Sequence, residues 1–379
     1  MGQLKRIQIK GFRSIKELDL ELRSLNVLIG ANGSGKSNLI SFFKMLNEMM
    51  AGRLQQYIAT SGRSHSILYF GPKITRQLEA RLEFEDDRHA NNDYVFTLSY
   101  AAVDTLIFAE EALERSRKDW ASPRKFDFGS GHAESSIGSS DLERQILDSD
   151  EKVTGHKTLR RMIQDSIGRV YHFHDTTPTA RVRQYSYVGD NKSLLFDAAN
   201  LAAFLYRLKN ERPIVYSRIV ETIRLIAPFF VDFDLEPTGP NKTDIMLNWR
   251  HVGSDLLFGP HQISDGTLRA MCLVSLLLQP EDELPGLIIV DEPELGLHPY
   301  ALNLIASLFQ SAAMHCQVLI STQSSAFLDN FEPQDIIVVE RDGGQSIFRR
   351  PDSVTLEAWL DEYSLGEVWE KNVIGGGPH

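Results

Sequence analysis

A glycine-rich segment near the start of the chain carries the clearest chemical signal in the sequence. It matches the pattern G-x-x-x-x-G-K-[ST], and its residues are Gly30, Ala31, Asn32, Gly33, Ser34, Gly35, Lys36 and Ser37, followed by Asn38. Glycines at this spacing let backbone N–H groups curl around phosphate oxygens, and a helix that starts there adds its partial positive charge. We therefore expect this segment to bind ATP, with Lys36 at the β- and γ-phosphates and Ser37 on Mg²⁺.

Two adjacent acids in the last third of the chain supply the chemistry that a phosphate-binding segment lacks. Asp291 and Glu292 directly follow the apolar run 287–290, which is typical of a buried strand. At the end of such a strand Asp291 can hold Mg²⁺ through water. Glu292 can orient or deprotonate the water that attacks ATP. The alternative is a solvated turn, which the phosphate-binding segment earlier in the chain disfavours.

A short polar motif, Ser264-Asp265-Gly266-Thr267, begins a helical pattern ahead of Asp291. At this point the sequence resembles the ABC-type ATPases, whose signature motif occupies this place. The resemblance implies that Ser264 and Gly266 bind the γ-phosphate of ATP held by the opposite subunit. A serine N-cap is the structural alternative, and the two roles are compatible.

The residues after Glu292 narrow the resemblance to one branch of these ATPases. The run D-E-P-E-L-G-L-H-P, with Glu294–Pro299 at the place of the D-loop, resembles the RecF, SMC and OLD branch, including predicted AAA family ATPases of the OLD-like type. Gln323 stands where this family has its switch histidine. Glutamine can hydrogen-bond the γ-phosphate or the water but cannot titrate, which puts a proton relay in doubt. Asp265 likewise departs from the usual glycine of the signature.

Three other sets of residues are weaker candidates. The resemblance suggests that Arg13 lies near the nucleotide, with a surface salt bridge as an equal alternative. Gln77 is a candidate for the glutamine loop of the family, although its neighbours do not mark it. His172 and His174 have the spacing of two ligands on one strand face, but a structural role is favoured because no further ligands cluster with them.

The elements that must position these residues indicate an α/β fold. Three strands are predicted over residues 4–30, the first two with alternating apolar residues, and further strand-like runs over 78–114. Strands alternate with helices over residues 264–340. Helical spacing covers 141–170 and 200–226. The resemblance implies a P-loop NTPase of ABC-ATPase type with a mixed sheet, an antiparallel β lobe and a helical insertion. We predict head segments at 1–114 and 231–379 around a mainly helical insertion at 115–230.

The composition of the chain excludes several classes of function. The formal net charge of −11 argues against a surface coated for tight, non-specific DNA binding, but is compatible with a local basic groove. The apolar runs are too short to cross a bilayer, and the start of the chain has no secretory pattern, so we expect a cytoplasmic protein that contacts no membrane. Cys272 and Cys316 stand alone and are expected to be free thiols. OLD proteins add a C-terminal Toprim nuclease domain, which we do not expect after Ser324.

The combined motifs predict a homodimeric ATPase that closes on two ATP molecules with Mg²⁺ and opens on hydrolysis. By resemblance, such a switch acts on DNA or on a separately encoded effector such as a nuclease, in DNA repair or in anti-phage defence. A second hypothesis is a nucleotide-gated sensor with negligible hydrolysis that controls a partner nuclease or toxin, as Gln323 and Asp265 suggest. A nuclease in its own right is disfavoured because no metal-ligand or triad pattern is present.

Overall fold

A computed structural model describes residues 2–85, 91–116, 123–137, 163 and 166–377. The chain divides into two compact units. The first comprises Met1–Arg169, Pro285–Ile289 and Pro333–His379, and the second comprises Val170–Leu284 and Val290–Glu332. Most of the helical pattern predicted over 141–170 lies outside the described residues, and the domain boundaries given above stay a prediction.

The strands of the described residues follow in chain order. They are β1 (Gln3–Phe12), β2 (Ile15–Glu21), β3 (Leu25–Ile29), β4 (Gln77–Glu85), β5 (Asn91–Ala101), β6 (Thr105–Ser116), β7 (Arg124–Asp127), β8 (Arg169–Tyr171), β9 (Ser186–Tyr187), β10 (Phe230–Asp234), β11 (Asp244–Ile245), β12 (Asn248–His251), β13 (Leu257–Phe258), β14 (Leu287–Asp291), β15 (Gln317–Thr322), β16 (Ile336–Asp342) and β17 (Gln345–Arg349).

The α-helices of the same residues also follow in chain order. They are α1 (Lys36–Met50), α2 (Leu54–Thr60), α3 (Arg63–Ile67), α4 (Leu201–Glu211), α5 (Pro213–Ile226), α6 (Asp265–Leu277), α7 (Pro299–Ala312), α8 (Ser325–Leu328), α9 (Ser353–Leu360) and α10 (Leu365–Glu370). Strand and helix assignments over 264–340 agree with the pattern predicted from the sequence.

An antiparallel sheet of order β2-β1-β4-β5-β6-β7 forms the β lobe of the first unit. Alternate residues point inward, so that Ile7 pairs with Leu20 on one side and with Leu82 on the other, all three buried. This lobe packs against α1, where the Phe42 ring stacks on Phe96 at 6.4 Å. Because α1 begins with Lys36, the lobe supports the phosphate-binding segment, and the predicted antiparallel lobe is confirmed.

Strand β3, which leads into the phosphate-binding segment, is buried at every residue. It pairs parallel with β16, with Val27 opposite Ile336, and β16 pairs antiparallel with β17. A strand covered on both faces needs apolar side chains throughout, which explains the unbroken run from Val27 to Ile29. The first unit therefore contains the mixed pairing that the predicted fold class requires.

The second unit contains the acidic strand end and the signature helix. Helices α4 and α5 meet at Pro213, whose ring suits the first turn of a helix, and they confirm the helical spacing predicted over 200–226. Helix α6 is buried from Leu268 to Leu277, and β15 is buried along its whole length.

Both cysteines are free and buried, and burial raises the pKa of each thiol to about 12. Across the described ranges, no helix has the length and apolar character to span a bilayer.

Candidate functional site

The predicted phosphate-binding segment forms a tight loop between β3 and α1. Gly33 and Gly35 have φ angles of +78° and +115°, in the left-handed region that favours glycine. A Cβ on Gly35 would lie 1.9 Å from Ser346 Oγ, so no other residue fits there. Helix α1 starts directly afterwards without a side-chain cap, and no acid occupies its first turn. The positive end of the helix dipole at this N-terminus favours a bound anion.

Lys36 is folded back onto the loop that it follows. Its side chain is only 4% exposed, and Nζ donates hydrogen bonds to the backbone oxygens of Gly30 and Ala31, the latter at 3.2 Å. Ser37, the next residue, is exposed. Phosphate oxygens are stronger acceptors for an ammonium group than backbone carbonyls. The arrangement suits a lysine that turns to a phosphate when one binds.

A chain of hydroxyl groups braces this loop from outside. Asn38 Nδ2 donates to Ser14 Oγ at 2.6 Å, Ser14 Oγ lies 2.6 Å from Ser346 Oγ, and Ser346 Oγ donates to Ser34 O at 2.6 Å. Sequence reasoning missed Ser14 and Ser346. Neither has a recognisable motif, and Ser346 reaches the loop only through the pairing of β17 with β16.

Next to the loop lies a cleft of about 320 Å³, whose lining includes Arg13, Asn38, His65, Phe70 and Arg341. Its titratable lining residues are all basic, and the Phe70 side chain is 61% exposed. Arg13 donates to Ser41 Oγ at 3.2 Å. Basic groups beside an exposed ring fit a ligand that combines negative charge with an aromatic base. The cleft is therefore a candidate subsite for the base and ribose of a nucleotide.

Glu292 and Gln323, two predicted site residues of the second unit, lie together. Strand β14 ends at Asp291, and Glu292 then adopts a φ of +45° while its N–H donates to Ser321 O at 2.7 Å. Gln323 Nε2 donates a hydrogen bond to Glu292 Oε1. A left-handed conformation at a non-glycine residue costs about 1–3 kcal/mol and is found at sites where surrounding contacts enforce it.

Glu294 is a functional candidate that the sequence reasoning treated only as part of the D-loop. Its Oε1 accepts hydrogen bonds from Thr322 Oγ1 at 2.6 Å and from the backbone N–H of Gln323 at 3.0 Å. Oε2 is buried without a hydrogen-bond partner among the described residues. Burial raises the pKa of the Glu294 carboxyl above its usual range, and the charge of Glu292 acts in the same direction.

The signature residues form the N-terminus of α6. Ser264 is the N-cap, with Oγ accepting from the N–H of Thr267 at 3.3 Å, so the structural role considered for it is present. A Cβ on Gly266 would lie 2.1 Å from Gly296 O, which shows that α6 packs directly on the D-loop segment. Gly266 must therefore be glycine for a packing reason as well.

Two buried arginines, also missed from the sequence, hold these loops. Arg183 donates to Asp265 Oδ1 at 2.7 Å and to Ile263 O at 3.1 Å. Arg269 donates to Phe173 O at 3.0 Å and also to Leu295 O, and burial lowers its pKa. The positive charge of Arg183 offsets the carboxylate of Asp265, the residue that departs from the usual signature.

The weaker candidates have structural partners. His174 Nε2 lies 2.7 Å from the backbone oxygen of Asp291, which fixes the end of β14. In the described part of the chain, no three His, Cys, Asp or Glu side chains are grouped to hold a metal ion. Gln77 Nε2 donates to Ser99 Oγ at 3.0 Å across the β lobe.

Comparison with known proteins places these features in one family. A family model described as "AAA domain, putative AbiEii toxin, Type IV TA system" matches residues 25–329. The OLD nuclease of Thermus scotoductus is 23% identical over an alignment of 382 positions, which covers 96% of this chain and 67% of that protein.

Solved structures with a similar fold include two SMC heads. One, bound to the C-winged helix domain of ScpA, has a TM-score of 0.57 at 14% identity and covers 92% of this chain and 97% of that chain. Another, from Pyrococcus furiosus, carries an extended coiled coil and is bound to the C-terminal domain of ScpA. Its TM-score is 0.56 at 14% identity, with 96% and 99% of the two chains covered. The predicted fold class is confirmed.

Proposed function

The chain belongs to the family described as "AAA domain, putative AbiEii toxin, Type IV TA system", and from this premise we propose that it hydrolyses ATP as one half of a dimeric, ABC-type head. The observation that carries the proposal is the hydrogen bond from Gln323 to Glu292 at the end of a buried strand. An acid held in this way, in a chain that also has a complete phosphate-binding loop, is suited to direct a water molecule at the γ-phosphate.

ATP binding is assigned to the loop 30–37 and to the adjacent cleft. Lys36 exchanges the carbonyl groups of Gly30 and Ala31 for phosphate oxygens, while the N–H groups at the start of α1 receive the remaining charge. The hydroxyl of Ser37 and the carboxylate of Asp291 are oxygen donors of the kind that Mg²⁺ prefers, and we assign them to that ion. When bound, Mg²⁺ neutralises charge on the phosphates.

Hydrolysis is assigned to Glu292 and Gln323. Glu292 orients or deprotonates the attacking water, as its position after Asp291 suggests. Gln323 keeps one carboxylate oxygen of Glu292 in a fixed direction and leaves the other for the water. Since an amide does not titrate, the proton must leave through Glu292 itself or through the phosphate.

Dimerisation supplies the second half of each site. We assign Ser264 and Gly266 to the γ-phosphate of ATP held by a second copy, a two-fold arrangement in which each copy gives and receives the same contacts. Arg183 supports this role because it offsets the charge of Asp265 next to the incoming phosphate. The switch is proposed to act on DNA or on a separately encoded effector such as a nuclease, an activity that the relative from Thermus scotoductus has in its name.

A nucleotide-gated sensor with negligible turnover is the second candidate. It is favoured by the same Gln323 contact, because that contact occupies one oxygen of Glu292 and the amide cannot accept a proton. Phosphate release by the wild-type chain, with and without DNA, separates the two functions. Turnover above about 0.1 per second supports the ATPase, and turnover at the rate of a chain-free blank supports the sensor.

Substitution of Ser264 by arginine is expected to block ATP-dependent dimerisation. A long cation at the start of α6 obstructs the surface assigned to the second copy, whereas the phosphate-binding loop of the same chain is unchanged. Light scattering with ATP should give the mass of a monomer for Ser264→Arg and of a dimer for Ser264→Thr, which keeps the hydroxyl that caps α6. A dimer in both variants would contradict the assigned interface.

Substitution of Arg13 by alanine is expected to weaken nucleotide binding about tenfold, equivalent to about 1.4 kcal/mol, with little change in kcat. The reason is the loss of one cation from the cleft beside Asn38. Titration with a fluorescent ATP analogue measures the change. Lys73→Ala, which removes an exposed cation outside the lining of the cleft, is the matched control. Equal affinities in the two variants would count against the cleft as a subsite.

A further inference from the structure

The contacts of Glu294 have no role in the function proposed above. This residue stands two positions after Glu292, at the start of the D-loop segment, and is half-buried. Burial of a carboxylate is unfavourable unless hydrogen bonds compensate for lost water. One oxygen, Oε1, receives two such bonds, whereas Oε2 is buried without a hydrogen-bond partner in the part of the chain that the structure describes. The carboxylate is therefore held through Oε1 alone, and the burial of Oε2 costs free energy.

Both donors to Glu294 lie at the end of β15. Thr322 Oγ1 donates to Glu294 Oε1 at 2.6 Å, and the same hydroxyl accepts from the N–H of Ser324 at 3.0 Å. The N–H of Gln323 donates to Glu294 Oε1 at 3.0 Å. Thr322, Gln323 and Ser324 are thus fixed through one carboxylate oxygen. At this point the chain leaves β15, and hydrogen bonds within a sheet no longer fix the backbone.

Gln323 is held at both ends as a result. Its backbone N–H is bound by Glu294, and its side-chain amide donates to Glu292. A free glutamine side chain loses conformational entropy when it is fixed in one rotamer. Because the backbone of Gln323 is fixed, its side chain can take fewer directions. Less conformational entropy is then lost when the amide binds Glu292.

We propose that Glu294 is a positioning residue that holds Gln323 against Glu292. This inference rests on the proposed ATPase function, in which Glu292 directs the attacking water. Glu294 also links that pair to the signature helix. Leu295, its neighbour, accepts a hydrogen bond from Arg269, and Gly296 packs on Gly266. Displacement of the D-loop segment therefore changes the direction of Gln323, and through it the geometry of Glu292.

Steady-state kinetics of a double-mutant cycle test the proposal. Glu294→Ala is expected to lower kcat about tenfold with KM unchanged within about twofold, and Gln323→Ala to have a similar effect. If Glu294 acts through Gln323, the double variant loses no more than either single variant. Multiplicative losses, on the order of a hundredfold in the double variant, would overturn the proposal.

A conservative variant separates positioning from mere folding. Glu294→Gln keeps an oxygen that can accept from Thr322 and Gln323, and it should retain kcat within about threefold of wild type. Equal losses for Glu294→Gln and Glu294→Ala would contradict the acceptor role. Thermal unfolding of each variant shows whether the chain is folded at the assay temperature.

Crystal structures of the Glu294 variants test the positioning role without a measurement of turnover. In Glu294→Ala, Gln323 Nε2 should leave Glu292 Oε1, whereas in Glu294→Gln the contact should persist. A retained contact in Glu294→Ala overturns the positioning role whatever the rate. If wild-type protein releases no phosphate but Gln323 moves as expected, the proposed hydrolysis fails and the positioning role stands.

Discussion

Replacement of Glu292 by glutamine is expected to lower kcat for ATP hydrolysis at least about 100-fold, the range in which a positioned general base contributes. The substitution keeps the size of the side chain and removes its charge and its ability to take a proton from water. ATP affinity should stay the same or rise, because a negative group near the γ-phosphate is lost. Phosphate release and nucleotide titration measure the two quantities.

The same variant should accumulate as a dimer in ATP. If hydrolysis opens the dimer, a chain that binds but does not hydrolyse ATP remains closed, and light scattering should show twice the monomer mass. Glu332→Gln removes an equal charge at an exposed position of the same unit and serves as the control. If Glu292→Gln hydrolyses ATP at the wild-type rate, Glu292 is not the general base. If the protein remains a monomer under all conditions, the proposed dimer is wrong.

Replacement of Lys36 by alanine is expected to weaken ATP binding on the order of 100-fold. Loss of one partner of a buried, hydrogen-bonded charge pair costs about 2–5 kcal/mol, and a factor of 100 corresponds to about 2.7 kcal/mol. The nucleotide-free protein should lose some stability, because the backbone oxygens of Gly30 and Ala31 lose a donor and Gly30 is buried. Isothermal titration with ATP and Mg²⁺ gives the affinity.

The control for this variant is Lys10→Ala, since Lys10 lies exposed on β1 and pairs with Glu17 at 3.2 Å. It should bind ATP as wild type does. ATP-dependent dimerisation should disappear in Lys36→Ala at nucleotide concentrations that saturate the wild type. Unchanged affinity in Lys36→Ala would remove the phosphate-binding assignment, and with it the reason to expect an ATP-gated dimer.

Much of the fold could be predicted because its signals are local. Alternating apolar residues in β1 and β2 place one face inward whatever lies beyond them, and the unbroken apolar run of β3 requires cover on both faces. Ser264 caps α6 through its own neighbour Thr267. Such features depend on residues within one element, so a single sequence contains them.

The supports of the site could not be predicted because their partners are distant in the chain. Ser14 and Ser346 meet beside the phosphate-binding loop, and Arg183 meets Asp265. Serine and arginine occur throughout any sequence, and their spacing here carries no pattern. Only the strand order that brings β17 beside β16, and the fold of the second unit around α6, give these side chains their partners.

The sequence alone predicted the phosphate-binding loop, because the glycines at 33 and 35 shape it through their own backbone and the lysine directly follows them. It also determined the order of the acids and the signature, and hence the family. Tertiary structure decided how Glu292 is held, since Gln323 reaches it from the end of a different strand, β15, and the backbone of Gln323 is bound by Glu294. Hydrogen bonds between distant residues form only when the packing of buried strands and helices fixes both partners, and that packing is a property of the whole chain.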